Sequence, residues 1–112
     1  MLITLDGEEL YLKPSLHACM QISRMDDAPV VTVEKIARLN FDTIVKVIAL
    51  GLGVSPTERL QQRVFDTGVA KFTGPCIRFI NNVNNGGRPL SQEEIKDMER
   101  EADEGNGINP SQ

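Results

Sequence analysis

His17 and Cys19 are the first residues of the chain whose types could do chemistry, since His-x-Cys is half of a common metal-ligand set. The chain holds one histidine and two cysteines, and the second cysteine, Cys76, stands far away in an apolar context. Three such residues do not complete a structural zinc tetrad. On a helix, residues two apart point to different faces. A cysteine or serine nucleophile needs a positioned base, and His17 is the sole imidazole. The expectation is a partly exposed helical histidine and two reduced thiols that pack as small hydrophobes. Gly51-Leu52-Gly53 resembles a fragment of a phosphate loop, but it follows a predicted helix and lacks the Lys-Ser/Thr ending. It reads as a helix terminus. Asp26-Asp27 and Glu8-Glu9 are adjacent carboxylates, which do not converge on one substrate unaided. Arg59 and Arg63 share a helix face and could meet an acidic partner, or be solvated with Asp66 as a local counter-charge. No catalytic residue, metal or cofactor is expected, and an enzyme is the least favoured class.

The elements that position these residues are short. Leu2 to Leu5 reads as a strand, Asp6-Gly7 as a type I′ turn and Glu8 to Lys13 as the returning strand. A lone hairpin is marginal in water, so this one must lie on something. Helical periods follow. Pro14-Ser15 opens a first helix, with Pro14 in its first turn and Leu16, Cys19, Met20 and Ser23 on one side, Ala18, Ile22 and Met25 beside them. Thr32 is placed to cap a second helix to about Leu39, and Asp42 a third from Thr43 to Leu52. The third is apolar almost all round, as a central core helix or an oligomer interface is, and Gly51 and Gly53 supply its end. Ser55-Pro56-Thr57-Glu58 is a capping box for Thr57 to Thr67, with Leu60, Val64 and Phe65 inward and Arg59, Arg63 and Asp66 outward. Gly68 stops it, Val69 to Phe72 restarts a turn, and Gly74-Pro75 begins a helix to about Asn82. Ser91-Gln92-Glu93-Glu94 is a second capping box, for a helix to about Asp103 before a flexible tail. The expected fold is mainly α: a small N-terminal β-hairpin, then a compact bundle of about five to six short helices. Residues 1–90 read as one globular domain and 91–112 as an acidic helix and disordered tail.

Composition narrows the function. The 112 residues are 40% hydrophobic and 25% charged, which suits a folded domain that needs no disulfide or metal to hold it. Aromatics are 4%, with no tryptophan, so a base-stacking platform is not expected. The net charge of −4 is uneven: residues 93–104 carry seven acids and two bases, and the rest of the chain is +1. Without a basic stripe, nucleic-acid binding has little electrostatic support. The longest apolar stretch, Ile44 to Val54, contains Lys46 and is far short of the ~20 residues a membrane span needs. No signal peptide is visible, so a cytoplasmic location is expected.

Larger patterns then come together. Ile3-Thr4-Leu5-Asp6-Gly7-Glu8-Glu9 runs into Leu12-Lys13-Pro14-Ser15-Leu16-His17-Ala18, followed by Ile22-Ser23-Arg24, Phe41-Asp42-Thr43-Ile44-Val45 and Ile48-Ala49-Leu50-Gly51-Leu52-Gly53. This order, over residues 3–90, resembles the tail assembly chaperones of long-tailed phages and gene transfer agents. The shared features are hydrophobic patterns and turns, with no catalytic signature. The resemblance implies a non-enzymatic protein of the host cytoplasm, absent from the finished particle. It implies binding to the tape measure protein, a long helical chain that such chaperones keep soluble, and help in recruiting tail tube subunits. Many members are also made in a longer, frameshifted form.

A holder of helical segments needs an apolar groove for anchors at i, i+3, i+4 and i+7. Val47 and Leu50, with Phe72, Ile77 and Phe79 from later helices, are candidate groove residues, and Met20 and Met25 add adaptable surface. Ordinary core packing, or self-association into a homo-oligomer, accounts for the same residues. The competing readings are a structural head–tail or tail completion protein of a phage particle and a small helical DNA-binding regulator.

Overall fold

A computed structural model describes residues 2–87 and Lys96. The chain opens with two antiparallel strands, Leu2–Leu5 (β1) and Glu8–Tyr11 (β2), in the register Leu2↔Tyr11, Ile3↔Leu10, Thr4↔Glu9, Leu5↔Glu8. Asp6 and Gly7 have φ of 56° and 82°, the left-handed values that a type I′ turn demands at both central residues. Alternation buries Ile3 and Leu5 and exposes Leu2 and Thr4. The returning strand ends at Tyr11, short of the expected Lys13. Leu12 drops into the core, and the Lys13 N–H leaves the ladder to donate to Gly51 O at 2.8 Å.

Among the described residues five α-helices with full bounds follow: Leu16–Met25 (α1), Pro29–Ala37 (α2), Phe41–Leu52 (α3), Glu58–Thr67 (α4) and Thr73–Asn84 (α5), with a 3₁₀ turn at Val69–Phe72 before the last. The mainly helical fold with an N-terminal hairpin is as expected, but several caps fall elsewhere. Ser15 caps α1, its hydroxyl accepting from Ala18 N–H at 3.0 Å, so Pro14 lies outside the helix. Pro29 occupies the first position of α2, where its missing N–H costs nothing. Thr32 is therefore a buried residue inside α2 and not its cap, and its hydroxyl donates to Asp26 at 2.9 Å. Asn40, not Asp42, caps α3 by accepting from Thr43 N–H at 3.0 Å. Asp42 sits in the first turn, where its charge suits the positive end of the helix, and pairs with Lys46 one turn on at 2.9 Å. Thr57, not Ser55, caps α4.

The interior of the described residues is one apolar cluster. At its centre α3 buries Thr43, Ile44, Val45, Val47, Ile48, Ala49 and Gly51, which makes it a core helix. Around it pack Ala18 and Ile22 of α1, Ile36 of α2, Leu60 and Val64 of α4, and Cys76, Phe79, Ile80 and Val83 of α5. On α1 Leu16 and Met20 are exposed, because the helix turns its Ala18–Ile22 side to the core. One inward assignment fails. Phe65 is 69% exposed, because Leu60 and Val64 already define the buried stripe of α4 and the next residue lies about 100° around the helix.

The hairpin rests on α3 and α4. Arg63 donates to Leu5 O at 3.2 Å and to the Glu8 carboxylate at 2.8 Å. The Asp6 N–H donates to Thr67 Oγ1 at 2.7 Å. Arg63 is thus a tether for the hairpin and not an outward charge, while Asp66 accepts from Gln62. The expected helix from Ser91 to Asp103 and the tail after it lie outside the described residues, Lys96 excepted, which is helical.

Candidate functional site

The residues first singled out for chemistry do not converge. His17 is exposed on α1 and Cys19 is half-buried two positions later. Among the described residues no three His, Cys, Asp or Glu side chains are grouped to hold a metal ion. Cys76 is sealed in the core, and that burial pushes its thiol up to about 12, far from the thiolate a nucleophile requires. Asp26 is held below the usual carboxylate range, mainly by its hydrogen bond from Lys35, with Thr32 as a second donor. This cluster joins the end of α1 to the middle of α2 and is structural.

Gly51-Leu52-Gly53 does two separate jobs. Gly53 takes the left-handed conformation, φ 73°, that ends α3. Gly51 does not end the helix. It lies inside α3, buried, where a Cβ would meet Leu12 Cβ and Cδ2 at 2.8 Å. Its lack of a side chain is what lets the strand exit lie against α3.

The seven apolar candidates separate by burial. Val47, Phe72 and Phe79 are at most 1% exposed, so these three are core and line no groove. Leu50 and Ile77 are partly buried against that core, as is Met25, and Met20 is 43% exposed. Met25 and Leu50 do come together. With Ala49, Val54 and Pro56 they line a concavity of about 200 Å³ between α1, α3 and the α3–α4 turn, with Lys46 and Gln21 at its edge. Ile77 and Met20 are not in this lining.

Val54 also borders a second, larger concavity of about 660 Å³ between the hairpin, the end of α3 and α4. Its apolar floor is Leu10, Leu52, Val54 and Leu60, and Glu8, Arg59 and Arg63 stand beside it. The two hollows share one wall residue, Val54, and lie on either side of it around the α3–α4 turn. Val54 is 54% exposed although large and apolar. Its position follows from the helix end. The Val54 N–H donates to Ala49 O at 3.0 Å and the Gly53 N–H to Leu50 O at 3.3 Å, the paired bonds of a Schellman motif. That motif places a hydrophobic residue just after the left-handed glycine, against the last turn. Leu-Gly-Val after an apolar helix is the sequence signal that could have found Val54.

Charged groups edge both hollows: Lys46 the smaller, and Glu8, Arg59 and Arg63 the larger. Lys46 is paired with Asp42 and Arg63 with Glu8, and Arg59 is exposed. Such a surface can accept apolar side chains of a helical segment. No helix among the described residues is long and apolar enough to cross a membrane. No family model matches this chain, and neither a curated protein nor a solved structure matches it.

Proposed function

We propose that this chain is a non-enzymatic binding module that holds apolar helical segments of another protein. More particularly, it acts as a tail assembly chaperone that binds the tape measure protein in the host cytoplasm, keeps it soluble and assists recruitment of tail tube subunits. The observation that supports the reading is the pair of apolar hollows on either side of the exposed Val54, lined by Leu10, Met25, Leu50 and Leu52, which stay partly exposed at the edge of the core. The order of hairpin, Pro-Ser-Leu turn and Leu-Gly-Leu-Gly helix end supports the particular assignment, by resemblance alone. The client surface rests on Met25, Leu50, Leu52, Val54 and Leu10, with Val47, Phe72 and Phe79 removed from it.

Co-expression with a tape measure protein tests the proposal. The chain is expected to raise the soluble fraction of that protein and to co-purify with it. Val54→Asp, at an exposed site outside the core, is expected to abolish both while the fold is kept. Failure of the wild-type chain to bind or solubilise the tape measure protein refutes the assignment.

A further inference from the structure

We propose that the outer edge of β2 receives an extended segment of a partner protein as a third strand, whose alternate apolar side chains enter the larger hollow beside it. This is a different binding mode from that of a helical client and does not rest on it. The register supplies the first argument. Leu5↔Glu8 closes a two-residue turn, so it and Ile3↔Leu10 are the pairs that exchange both ladder bonds. The main-chain groups of Glu9 and Tyr11 therefore point away from β1, and no described residue bonds them on that side. Lys13, the next residue of the same parity, shows which way this edge looks: its N–H bonds Gly51 O near the end of α3. A carbonyl from α3 thus stands where an added strand would offer one, and the two positions before it are open.

The hollow is the second argument. Leu10, the residue between the two open positions, lines it, with Leu52, Val54 and Leu60 as the rest of its apolar floor. A strand on the β2 edge keeps the pleat, so its residue opposite Leu10 points to this floor and its residue opposite Glu9 points to solvent. Main-chain bonds then give affinity and the hollow selects the side chain. The β1 side of the hairpin borders a polar hollow instead, lined by Thr4, Asp6, Asp66, Thr67 and Lys71. Charge narrows the occupant. Glu8 is paired with Arg63, but Glu9 is exposed and has no ion-pair partner among the described residues. A lysine or arginine opposite Glu9 completes a cross-strand pair, so the partner segment carries a base next to an apolar residue. A second copy of β2 would instead bring its own Glu8 and Glu9 to an edge that is already acidic.

Amide-resolved NMR titration of the full-length chain with short synthetic peptides tests this. The probe is a peptide of alternating threonine and leucine with a lysine beside the central leucine. It is expected to shift and protect the Glu9 and Tyr11 amides. N-methylation of its bonding amides is expected to weaken it about tenfold, through the lost main-chain bonds. Replacing its lysine by glutamate is expected to weaken it about threefold, and Glu9→Lys, at an exposed site, to reverse that preference. Absence of any Glu9 or Tyr11 response overturns the proposal. So does equal affinity of the N-methylated peptide, or a charge preference that Glu9→Lys leaves unchanged. Protection of the same amides that grows with protein concentration alone assigns the edge to a second copy and overturns it too. Tape measure binding with no Glu9 or Tyr11 response to the peptide overturns this proposal and upholds the chaperone reading. Peptide binding at this edge by a chain that leaves the tape measure protein insoluble does the reverse.

Discussion

Replacing Gly51 by alanine sets two effects of opposite sign against each other. Gly51 lies within α3, and at an ordinary interior position alanine is favoured over glycine by about 1 kcal/mol. Here the new methyl group meets Leu12 Cβ and Cδ2 at 2.8 Å and Leu12 Cα at 3.2 Å. Leu12 is fully buried, and two of the three crowded atoms lie on or next to the backbone, so a side-chain rotation does not relieve them. Overpacking of this kind costs about 1–3 kcal/mol. Displacing the strand exit also weakens the Lys13–Gly51 hydrogen bond, worth about 1 kcal/mol. The sum is a net loss of about 1–3 kcal/mol, or roughly 5–20 °C in Tm for a domain of this size. Urea denaturation followed by circular dichroism measures it. A Gly51→Ala chain as stable as the wild type, or more stable, refutes the claim that the hairpin is seated on a bare helix face.

Three further outcomes are expected. Leu39 holds φ of 62° just after α2 and is 47% exposed, so Leu39→Gly should relieve left-handed strain and stabilise by about 0.5–1 kcal/mol in the same denaturation assay. The Asp26 carboxyl is lowered in the folded state by Lys35 and Thr32, so its contribution is present above the unfolded value near 3.8 and is lost as pH falls through the lower folded value. Asp26→Asn should remove about 1–3 kcal/mol at pH 7 and flatten the acid limb of the stability–pH curve. On α4, Val64→Ala should cost about 1–3 kcal/mol while Phe65→Ala stays within about 0.5 kcal/mol, since only Val64 is buried. The reverse order would restore Phe65 to the core.

The hairpin was legible in the sequence because its signals are local. Asp6-Gly7 tolerates two left-handed residues, and alternation on either side needs only the neighbours it pairs with. The five helices and the central role of α3 were legible for a similar reason: a period of 3.6 and a nearly unbroken apolar surface are properties of the segment itself. Caps were less so, since Asn40 and Thr57 each stand two residues from a rival of similar capping strength, Asp42 and Ser55, and a single hydrogen bond decides.

What tertiary structure alone decided is which apolar residues were left over. Val47, Phe72 and Phe79 have the same hydrophobic character as Leu50 and Val54, yet the first three are enclosed by helices distant in sequence and the last two border an open hollow. Gly51 likewise looks like a helix stop until Leu12 arrives beside it. Burial is a property of the whole packing arrangement, so no window of the chain encodes it: a segment specifies its own period and turns, and its neighbours determine which of its faces remains for a partner.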